Sequence, residues 1–140
     1  MSKVTKIKIM IAEDHADLGA FLETVLTMAG LETVLVRDGI EALETIREQR
    51  PDVLLTDIEM PGKDGITLIK EVREQEAAEN SLKHLPIVVM SGRSDKFRDA
   101  LKIGAAFCVP KPFADLSRVI DKIRELIHSP LMRDSVCTVV

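Results

Sequence analysis

Residues 53–65 read VLLTDIEMPGKDG, and they are the most informative stretch of the chain. Residues 53–56 are apolar or β-branched, and they deliver one carboxylate, Asp57, to a loop that contains proline and glycine. In an open α/β sheet, ligands bind in the crevice outside the carboxyl ends of the strands. Because aspartate is seldom buried unless it is paired or bound to a metal, packing alone explains Asp57 poorly. We therefore predict that Asp57 is a functional carboxylate.

A second strand-like run, IKIMIA at residues 7–12, ends in two consecutive acids, Glu13 and Asp14. If this strand lies beside the Asp57 strand and parallel to it, three carboxylates converge. Their mutual repulsion must then be relieved by a bound cation, by lost ionisation, or by both. These candidate ligands are carboxylate oxygens, and no histidine or cysteine with metal-ligand spacing accompanies them. Such a set favours a hard cation, Mg²⁺ above Zn²⁺.

Two further strand ends supply the groups that are complementary to these acids. The run IVVMS at residues 87–91 ends in the hydroxyl of Ser91, and FCVPKP at residues 107–112 places the ammonium of Lys111 before a proline. A metal-holding acid pair, a nucleophilic aspartate, a neutral donor and a charged donor are the groups that phosphoryl transfer uses for positioning and charge neutralisation.

The composition predicts one soluble domain. The chain has 140 residues, a formal net charge of −4, and neither tyrosine nor tryptophan. We expect no direct nucleic-acid binding, which depends on basic side chains. No apolar run approaches the roughly 18 residues of a membrane span, and the start does not resemble a signal peptide, so we expect a cytoplasmic location. Cys108 and Cys137 have no metal-like spacing, and we expect no disulfide between them.

Apolar strand-like runs alternate with helical periodicity five times, which predicts a parallel sheet covered by helices on both faces. Asp38 is expected to cap a helix through Gln49, and Asp95 to cap a short helix that ends near Gly104. The last helix is predicted from Asp115 to His128. The segment after it has three open interpretations: a frayed tail, an added edge strand, or a docking peptide.

Taken together, these motifs resemble the receiver domain of two-component response regulators, the CheY-like family. The resemblance covers about residues 6–128. It rests on Glu13-Asp14, Asp57, Ser91 and Lys111-Pro112 falling in order, with a Met-Pro turn after Asp57. Several motifs in register make an accidental match hard to credit.

The resemblance implies an α/β, flavodoxin-like, doubly wound sheet of five parallel strands in the order 2-1-3-4-5, with five helices. It implies a receiver domain at residues 1–128 and a tail at residues 129–140 without a domain of its own. It further implies that Asp57 accepts a phosphoryl group from a histidine kinase or phosphotransfer protein. The implied Mg²⁺ ligands are Asp14, Asp57, the backbone carbonyl of Glu59, and Glu13 through water. Ser91 and Lys111 would contact phosphoryl oxygens.

The sequence departs from the family pattern at two positions. Members of the family usually carry tyrosine or phenylalanine three residues before the lysine and threonine at the hydroxyl position, whereas this chain has Cys108 and Ser91. Phe107 is one residue earlier, and adjacent strand residues point to opposite faces, so we do not expect it to replace the aromatic switch. We expect altered coupling between phosphorylation and the face of the last helix.

Two positions of the family pattern overlook the acceptor and influence how fast water hydrolyses the acyl phosphate. They are occupied by Glu59, two residues after the acceptor, and Arg93, two residues after the hydroxyl. We expect these side chains to pair across the mouth of the pocket.

The main functional hypothesis is a stand-alone phosphorylation switch that signals through protein contacts. It is not expected to be an enzyme beyond self-phosphorylation from small donors and self-dephosphorylation. The alternatives are a Mg²⁺-dependent phosphohydrolase with an aspartyl-phosphate intermediate and a constitutive interaction module with an idle acceptor. A flavodoxin-like cofactor binder is disfavoured, because no Gly-, Ser- and Thr-rich loop follows the first strand. The expected output partner docks at the face of the last two helices, and the protein is expected to be a monomer or weak homodimer without membrane contact.

Overall fold

The structure, a computed structural model, describes residues 6–79, 84–111, 116–128 and 138–139. Within these ranges the chain forms one parallel sheet and five α-helices. The strands are β1 (Lys8–Ala12), β2 (Glu32–Val36), β3 (Val53–Asp57), β4 (Ile87–Ser91), β5 (Phe107–Pro110) and β6 (Thr138–Val139). The helices are α1 (Ala16–Met28), α2 (Gly39–Gln49), α3 (Gly65–Ala78), α4 (Phe97–Lys102) and α5 (Leu116–His128).

The strand order is β2-β1-β3-β4-β5-β6, and every neighbouring pair is parallel. The predicted order of the first five strands and the five helices are confirmed. The two residues of β6 pair with Phe107 and Cys108 at the free edge of β5. Of the three interpretations of the tail, the added edge strand therefore holds for residues 138–139; residues 129–137 and 140 lie outside the described part.

Alternating side chains of the strands divide the core between the two faces of the sheet, as pleated backbone requires. On one face, Ile9 and Ile11 of β1 pack in a cluster with Leu22 of α1 and Ile123 of α5. On the other face, Met10 belongs to a second cluster that includes residues of α2, α3 and α4. Because both faces are covered, β3 and β4 are buried along their whole length.

The register of the sheet places the carboxyl ends of the central strands side by side. Ala12 of β1 is paired with Thr56 of β3, and Asp57 is paired with Met90 of β4. The acids that follow β1 therefore emerge next to Asp57, and Ser91 emerges one residue beyond it on the other side. Parallel pairing alone thus assembles the polar groups of three strands at one edge.

Helix caps fix the backbone where β2 leads into α2 and β3 leads into α3 at this edge. The side chain of Asp38 accepts a hydrogen bond from the Glu41 amide at 2.7 Å, which confirms the predicted cap of α2. Asp64 accepts from the Thr67 amide at 2.8 Å and caps α3. Each cap satisfies a helix N–H that has no partner within the helix.

The segment between β4 and α4 differs from the sequence-based expectation. A single 3₁₀ turn, Ser94–Lys96, precedes α4, and no side chain caps either element. The prediction that Asp95 caps this helix was wrong, because Asp95 lies within the 3₁₀ turn and its carboxylate accepts from the Arg93 guanidinium at 3.2 Å. Asp95 therefore forms an ion pair with the residue two positions before it and leaves the start of α4 without a side-chain cap.

None of the helices in the described ranges has both the length and the apolar character needed to cross a bilayer. This finding agrees with the absence of a long apolar run in the sequence.

The loop after Asp57 is held by a close approach that only glycine permits. The Gly65 amide donates to the Ile58 carbonyl at 2.7 Å. A Cβ atom at Gly65 would overlap the backbone oxygen of Asp57 and lie 2.9 Å from the Ile58 Cα.

We therefore expect Gly65→Ala to lower the free energy of unfolding by about 2–3 kcal/mol, since forced overpacking of this kind shifts backbone atoms. Urea denaturation measures the change. Gly92→Ala is the matched control, because a Cβ there meets no atom within 4 Å, and its effect should stay below about 1 kcal/mol. Equal stability of the two variants would contradict this account of the loop.

Candidate functional site

Three carboxylates meet at the carboxyl edge of the sheet, as the sequence predicts. Ligand oxygens of Glu13, Asp14 and Asp57 all lie within 4.8 Å of one another. Glu13 and Asp57 are buried, with 1% and 6% of their surfaces exposed, whereas Asp14 is exposed. The group is therefore closed on the protein side and open towards solvent. We call these three residues the acidic cluster.

Lys111 reaches the acidic cluster from β5 and bridges two of its members. Its Nζ donates to Glu13 Oε1 at 2.7 Å and to Asp57 Oδ2 at 2.8 Å. The Lys111 amide also donates to the Ser91 carbonyl at 3.0 Å, which fixes the start of the side chain relative to β4. One ammonium thus offsets part of the negative charge that the strand ends bring together.

The titration behaviour of Glu13 and Lys111 reflects this crowding. Burial raises the pKa of the Glu13 carboxyl above its ordinary value, and the Asp57 charge adds to this, while hydrogen bonds from Lys111 and the His15 backbone lower it. Burial lowers the pKa of the Lys111 ammonium, but hydrogen bonds to Asp57 and Glu13 outweigh it, so the net direction is upward. Lys111 is therefore held as a cation at neutral pH.

Backbone amides orient the two buried carboxylates. The Glu59 amide donates to Asp57 Oδ1 at 3.2 Å, and the His15 amide donates to Glu13 Oε2 at 3.0 Å. Asp57 therefore has one carboxylate oxygen against the loop and the other against Lys111. This arrangement restricts rotation of the carboxylate.

Ser91 lies beside the acidic cluster as a buried hydroxyl with donor capacity to spare. It is 2% exposed, and its Oγ accepts from the Arg93 amide at 2.9 Å. A hydroxyl has one donor as well as acceptor sites, and within the described residues the Ser91 donor has no acceptor. The O–H can therefore be donated to a ligand.

A cleft of about 430 Å³ adjoins the acidic cluster at Asp14. Its lining residues are Asp14, Ile58, Glu59, Met60, Pro61, Asp64, Arg93 and Lys96. We call it the mouth cleft.

The predicted pairing of Glu59 with Arg93 across the mouth cleft is present, at 3.8 Å between Arg93 Nε and Glu59 Oε1. Both side chains are more than half exposed, so water screens the pair strongly. The ion pair therefore narrows the mouth cleft but holds it only weakly.

Cys108, at the position where the family usually has an aromatic residue, and its neighbour Phe107 both belong to the hydrophobic core. Cys108 is fully buried on the face covered by α2, α3 and α4, and its Sγ is 3.8 Å from the Phe97 carbonyl. Phe107 belongs to the core cluster of the opposite face. The structure therefore agrees that Phe107 does not point where an aromatic at Cys108 would point.

Two residues near the site, Thr56 and Lys96, were not predicted from the sequence. The buried hydroxyl of Thr56 donates to the Asp57 carbonyl at 2.9 Å, and its signal was a polar residue next to the acceptor in an apolar strand. Lys96 lines the mouth cleft. Nothing in its local sequence distinguishes it from other surface lysines.

The donor set fits a hard divalent cation. The acidic cluster offers carboxylate oxygens with the exposed Asp14 facing solvent, and such oxygens suit Mg²⁺. The neighbouring His15 is used otherwise, because its Nδ1 accepts from the Leu18 amide at 3.3 Å as the cap of α1. Chemically, the arrangement provides an oriented nucleophile, a fixed cation and a hydroxyl donor around a potential cation site.

Known proteins are similar to this chain in sequence. PrrA, a transcriptional regulatory protein of Mycobacterium tuberculosis, is 33% identical over 127 residues, which cover 89% of this chain and 52% of PrrA. NtrC, a DNA-binding transcriptional regulator of Escherichia coli, is 32% identical over 121 residues, which cover 85% of this chain and 24% of NtrC. The chain thus spans about half or less of the length of these relatives.

Solved structures extend the likeness. The receiver domain of the Francisella response regulator 1452 matches with a TM-score of 0.79 and 28% identity, covering 89% of this chain and 99% of that domain. The receiver domain of sensor histidine kinase PA1611 from Pseudomonas aeruginosa, solved with a magnesium ion in its active site cleft, matches with a TM-score of 0.78 and 25% identity, covering 89% of this chain and all (100%) of that one.

The sequence model of the response regulator receiver domain matches residues 9–124. This range includes the acidic cluster, Ser91 and Lys111, so the chain belongs to the response regulator receiver domain family of two-component systems.

Proposed function

We propose that this receiver domain is a phosphorylation switch in which Asp57 accepts a phosphoryl group from a histidine kinase or phosphotransfer protein. The observation that carries the proposal is the double contact of Lys111 Nζ with Asp57 Oδ2 and Glu13 Oε1. Lys111 is thereby in contact with two of the three acids of the acidic cluster, one of which is the proposed acceptor. The cation and the nucleophile are thus already adjacent.

Asp57 is the nucleophile of the proposed reaction. A carboxylate oxygen attacks the phosphorus of the donor, the bond from phosphorus to the leaving group breaks, and an acyl phosphate forms on Asp57. The Glu59 amide and Lys111 each hold one oxygen of the carboxylate. Such orientation reduces the entropic cost of reaching the transition state.

Lys111 and Ser91 are the proposed donors to the transferred group. The phosphoryl group carries charge on its equatorial oxygens, and fixed donors stabilise that charge. Lys111 supplies a partly buried ammonium, and Ser91 supplies a hydroxyl one residue beyond the partner of Asp57 on β4. Removing either donor is expected to slow transfer.

We propose Mg²⁺ as the resident cation. Asp14 and Asp57 would hold it directly, with the Glu59 carbonyl as a further ligand and Glu13 through water, and the ion would supply positive charge to the phosphoryl oxygens. The proximity of the three carboxylates and the magnesium-bound cleft of the PA1611 receiver domain support this assignment.

The output of the switch is proposed to leave through protein contacts on the face of α4 and α5. This face presents charges of both signs, including the exposed Arg98, Asp121 and Glu125. We propose that the protein is a monomer or weak homodimer and that it is located in the cytoplasm.

Asp57 is expected to be the residue that becomes phosphorylated. In the presence of Mg²⁺ and acetyl phosphate, the wild-type protein should gain at most one phosphoryl group per chain, because Asp57 is the single proposed acceptor. Asp57→Asn should gain none, since an amide is not an effective nucleophile. Intact-protein mass spectrometry and the sensitivity of the product to hydroxylamine measure the result.

Asp121→Asn, an exposed carboxylate on α5, is the matched control and should be labelled like the wild type. Continuous phosphate release from phosphomonoesters over many turnovers would instead favour a phosphohydrolase. Partner binding that is identical in wild type and Asp57→Asn, whether or not the donor is present, would favour a constitutive module.

The second prediction concerns Lys111. Lys111→Met leaves Glu13 and Asp57 buried without their shared cation, and breaking a buried pair in this way costs about 3 kcal/mol. Urea denaturation without divalent ions should show a loss of this order. Saturating Mg²⁺ should restore part of it, because the ion replaces the missing positive charge.

Lys102→Met removes an exposed lysine of α4 and should change stability little, with or without Mg²⁺. A Lys111→Met variant as stable as this control in the absence of metal would argue against a structural role for the bridge.

The third prediction concerns the mouth. Arg93→Ala removes the contact with Glu59 and should accelerate loss of the phosphoryl group several-fold, since water gains access to the acyl phosphate. The Mg²⁺ dissociation constant, followed by titration, should change less than the dephosphorylation rate. Arg98→Ala on α4 is the control, and an unchanged phospho-lifetime in Arg93→Ala would refute the role.

A further inference from the structure

The wall of the mouth cleft includes one lysine, Lys96, whose ammonium has no partner among the described residues. Lys96 is half-buried in the wall of the cleft. Within the described residues its Nζ has neither a hydrogen-bond partner nor an ion-pair partner, and its backbone amide donates to the Arg93 carbonyl at 3.1 Å. A partly desolvated cation without a counter-charge favours an anionic ligand.

The other charged groups of the cleft wall have defined partners. Arg93 contacts Glu59 at 3.8 Å and Asp95 at 3.2 Å. Asp64 accepts from the Thr67 amide as the cap of α3, and Asp14 belongs to the acidic cluster. Of the two cations in this wall, Arg93 and Lys96, only Lys96 has no carboxylate partner among the described residues.

The position of the cleft relates Lys96 to the leaving group of a donor. In phosphoryl transfer, the attacking and leaving atoms lie roughly in line on opposite sides of phosphorus. With the attacking oxygen on the buried Asp57, the leaving group points outward. The mouth cleft is the space on that side, because it shares Asp14 with the acidic cluster and is bounded by Glu59, whose amide holds Asp57.

We propose that Lys96 is a specificity-determining residue that favours phosphodonors with an anionic leaving group, the acyl phosphates, over phosphoramidates. This inference rests on the proposed function of Asp57. The leaving oxygen of an acyl phosphate gains negative charge during transfer, and the Lys96 ammonium attracts it. The nitrogen of a phosphoramidate is protonated at neutral pH, and the same ammonium repels it.

Both reactions balance without a further reactant. With acetyl phosphate, the bond between the Asp57 oxygen and phosphorus forms while the phosphorus–oxygen bond to the acetyl group breaks, and the electron pair leaves with acetate. With phosphoramidate, the phosphorus–nitrogen bond breaks, and the electron pair leaves on a nitrogen that already carries its proton, giving ammonia. The difference between the donors at the cleft is therefore one of charge.

The test compares the rate constants for labelling of Asp57 by acetyl phosphate and by phosphoramidate, at one Mg²⁺ concentration and one ionic strength. Lys96→Glu reverses the charge, Lys96→Met removes it at similar length, and Lys96→Arg keeps it. In water, two unit charges about 4 Å apart interact with an energy that corresponds to a rate change of about fivefold. Lys96→Met should therefore lower the ratio of the acetyl phosphate rate constant to the phosphoramidate rate constant about fivefold. Lys96→Glu should lower it further, and Lys96→Arg should restore it.

Lys102→Glu, which makes the same charge change on the exposed end of α4, should leave the ratio unchanged. Raising the salt concentration should reduce the effect of Lys96, because salt screens exposed charges. A ratio that is the same in all four Lys96 forms, or that Lys102→Glu changes equally, would overturn the inference while leaving Asp57 as the acceptor. A wild-type protein that neither donor labels would overturn the proposed function and this inference with it.

Discussion

Repulsion among the carboxylates of the acidic cluster is the constraint on which the site depends. Parallel pairing of β1 with β3 forces Glu13, Asp14 and Asp57 together, and burial of two of them makes their charge costly. The Lys111 ammonium offsets this cost from β5, on the far side of β4. A sheet that brought the acids together without Lys111 would have to protonate one of them or bind a cation permanently. With Lys111, part of this negative charge is neutralised within the protein.

The deep and the outer parts of the site are held by different forces. Asp57 and Lys111 emerge from buried strands, and backbone amides orient the carboxylates, so their geometry follows the rigid sheet. The mouth cleft is formed by loop residues, and the ion pair across it, Arg93 with Glu59, is more than half exposed. A rigidly held acidic cluster and a weakly held rim are compatible, since changes at the rim need not disturb the position of Asp57.

The interior around β5 explains why the departure from the family pattern is accommodated. Cys108 is fully buried beside the Phe97 carbonyl of α4, where a small side chain leaves the helix packed directly on the strand. An aromatic ring at this position would need space that α4 now occupies. Phe107 packs on the other face and fills the core beneath α5 instead. Any communication between Asp57 and α4 in this chain therefore passes through packing other than an aromatic side chain at position 108.

The amino-acid sequence by itself determined the parallel α/β architecture, the strand order through its family resemblance, and the identity of the acids, the hydroxyl and the lysine at the strand ends. These features are encoded locally, because the period of apolar residues sets each element and a polar residue at a strand end is visible without its neighbours. The Asp38 cap was predictable for the same reason.

Only the tertiary structure decided that Lys111 contacts both Glu13 and Asp57, which are 98 and 54 residues away in sequence. It also decided that residues 138–139 extend the sheet and that Lys96 lines the mouth cleft. Such contacts join segments whose relative positions depend on how loops and helices pack over the whole sheet. Local periodicity carries no information about these positions.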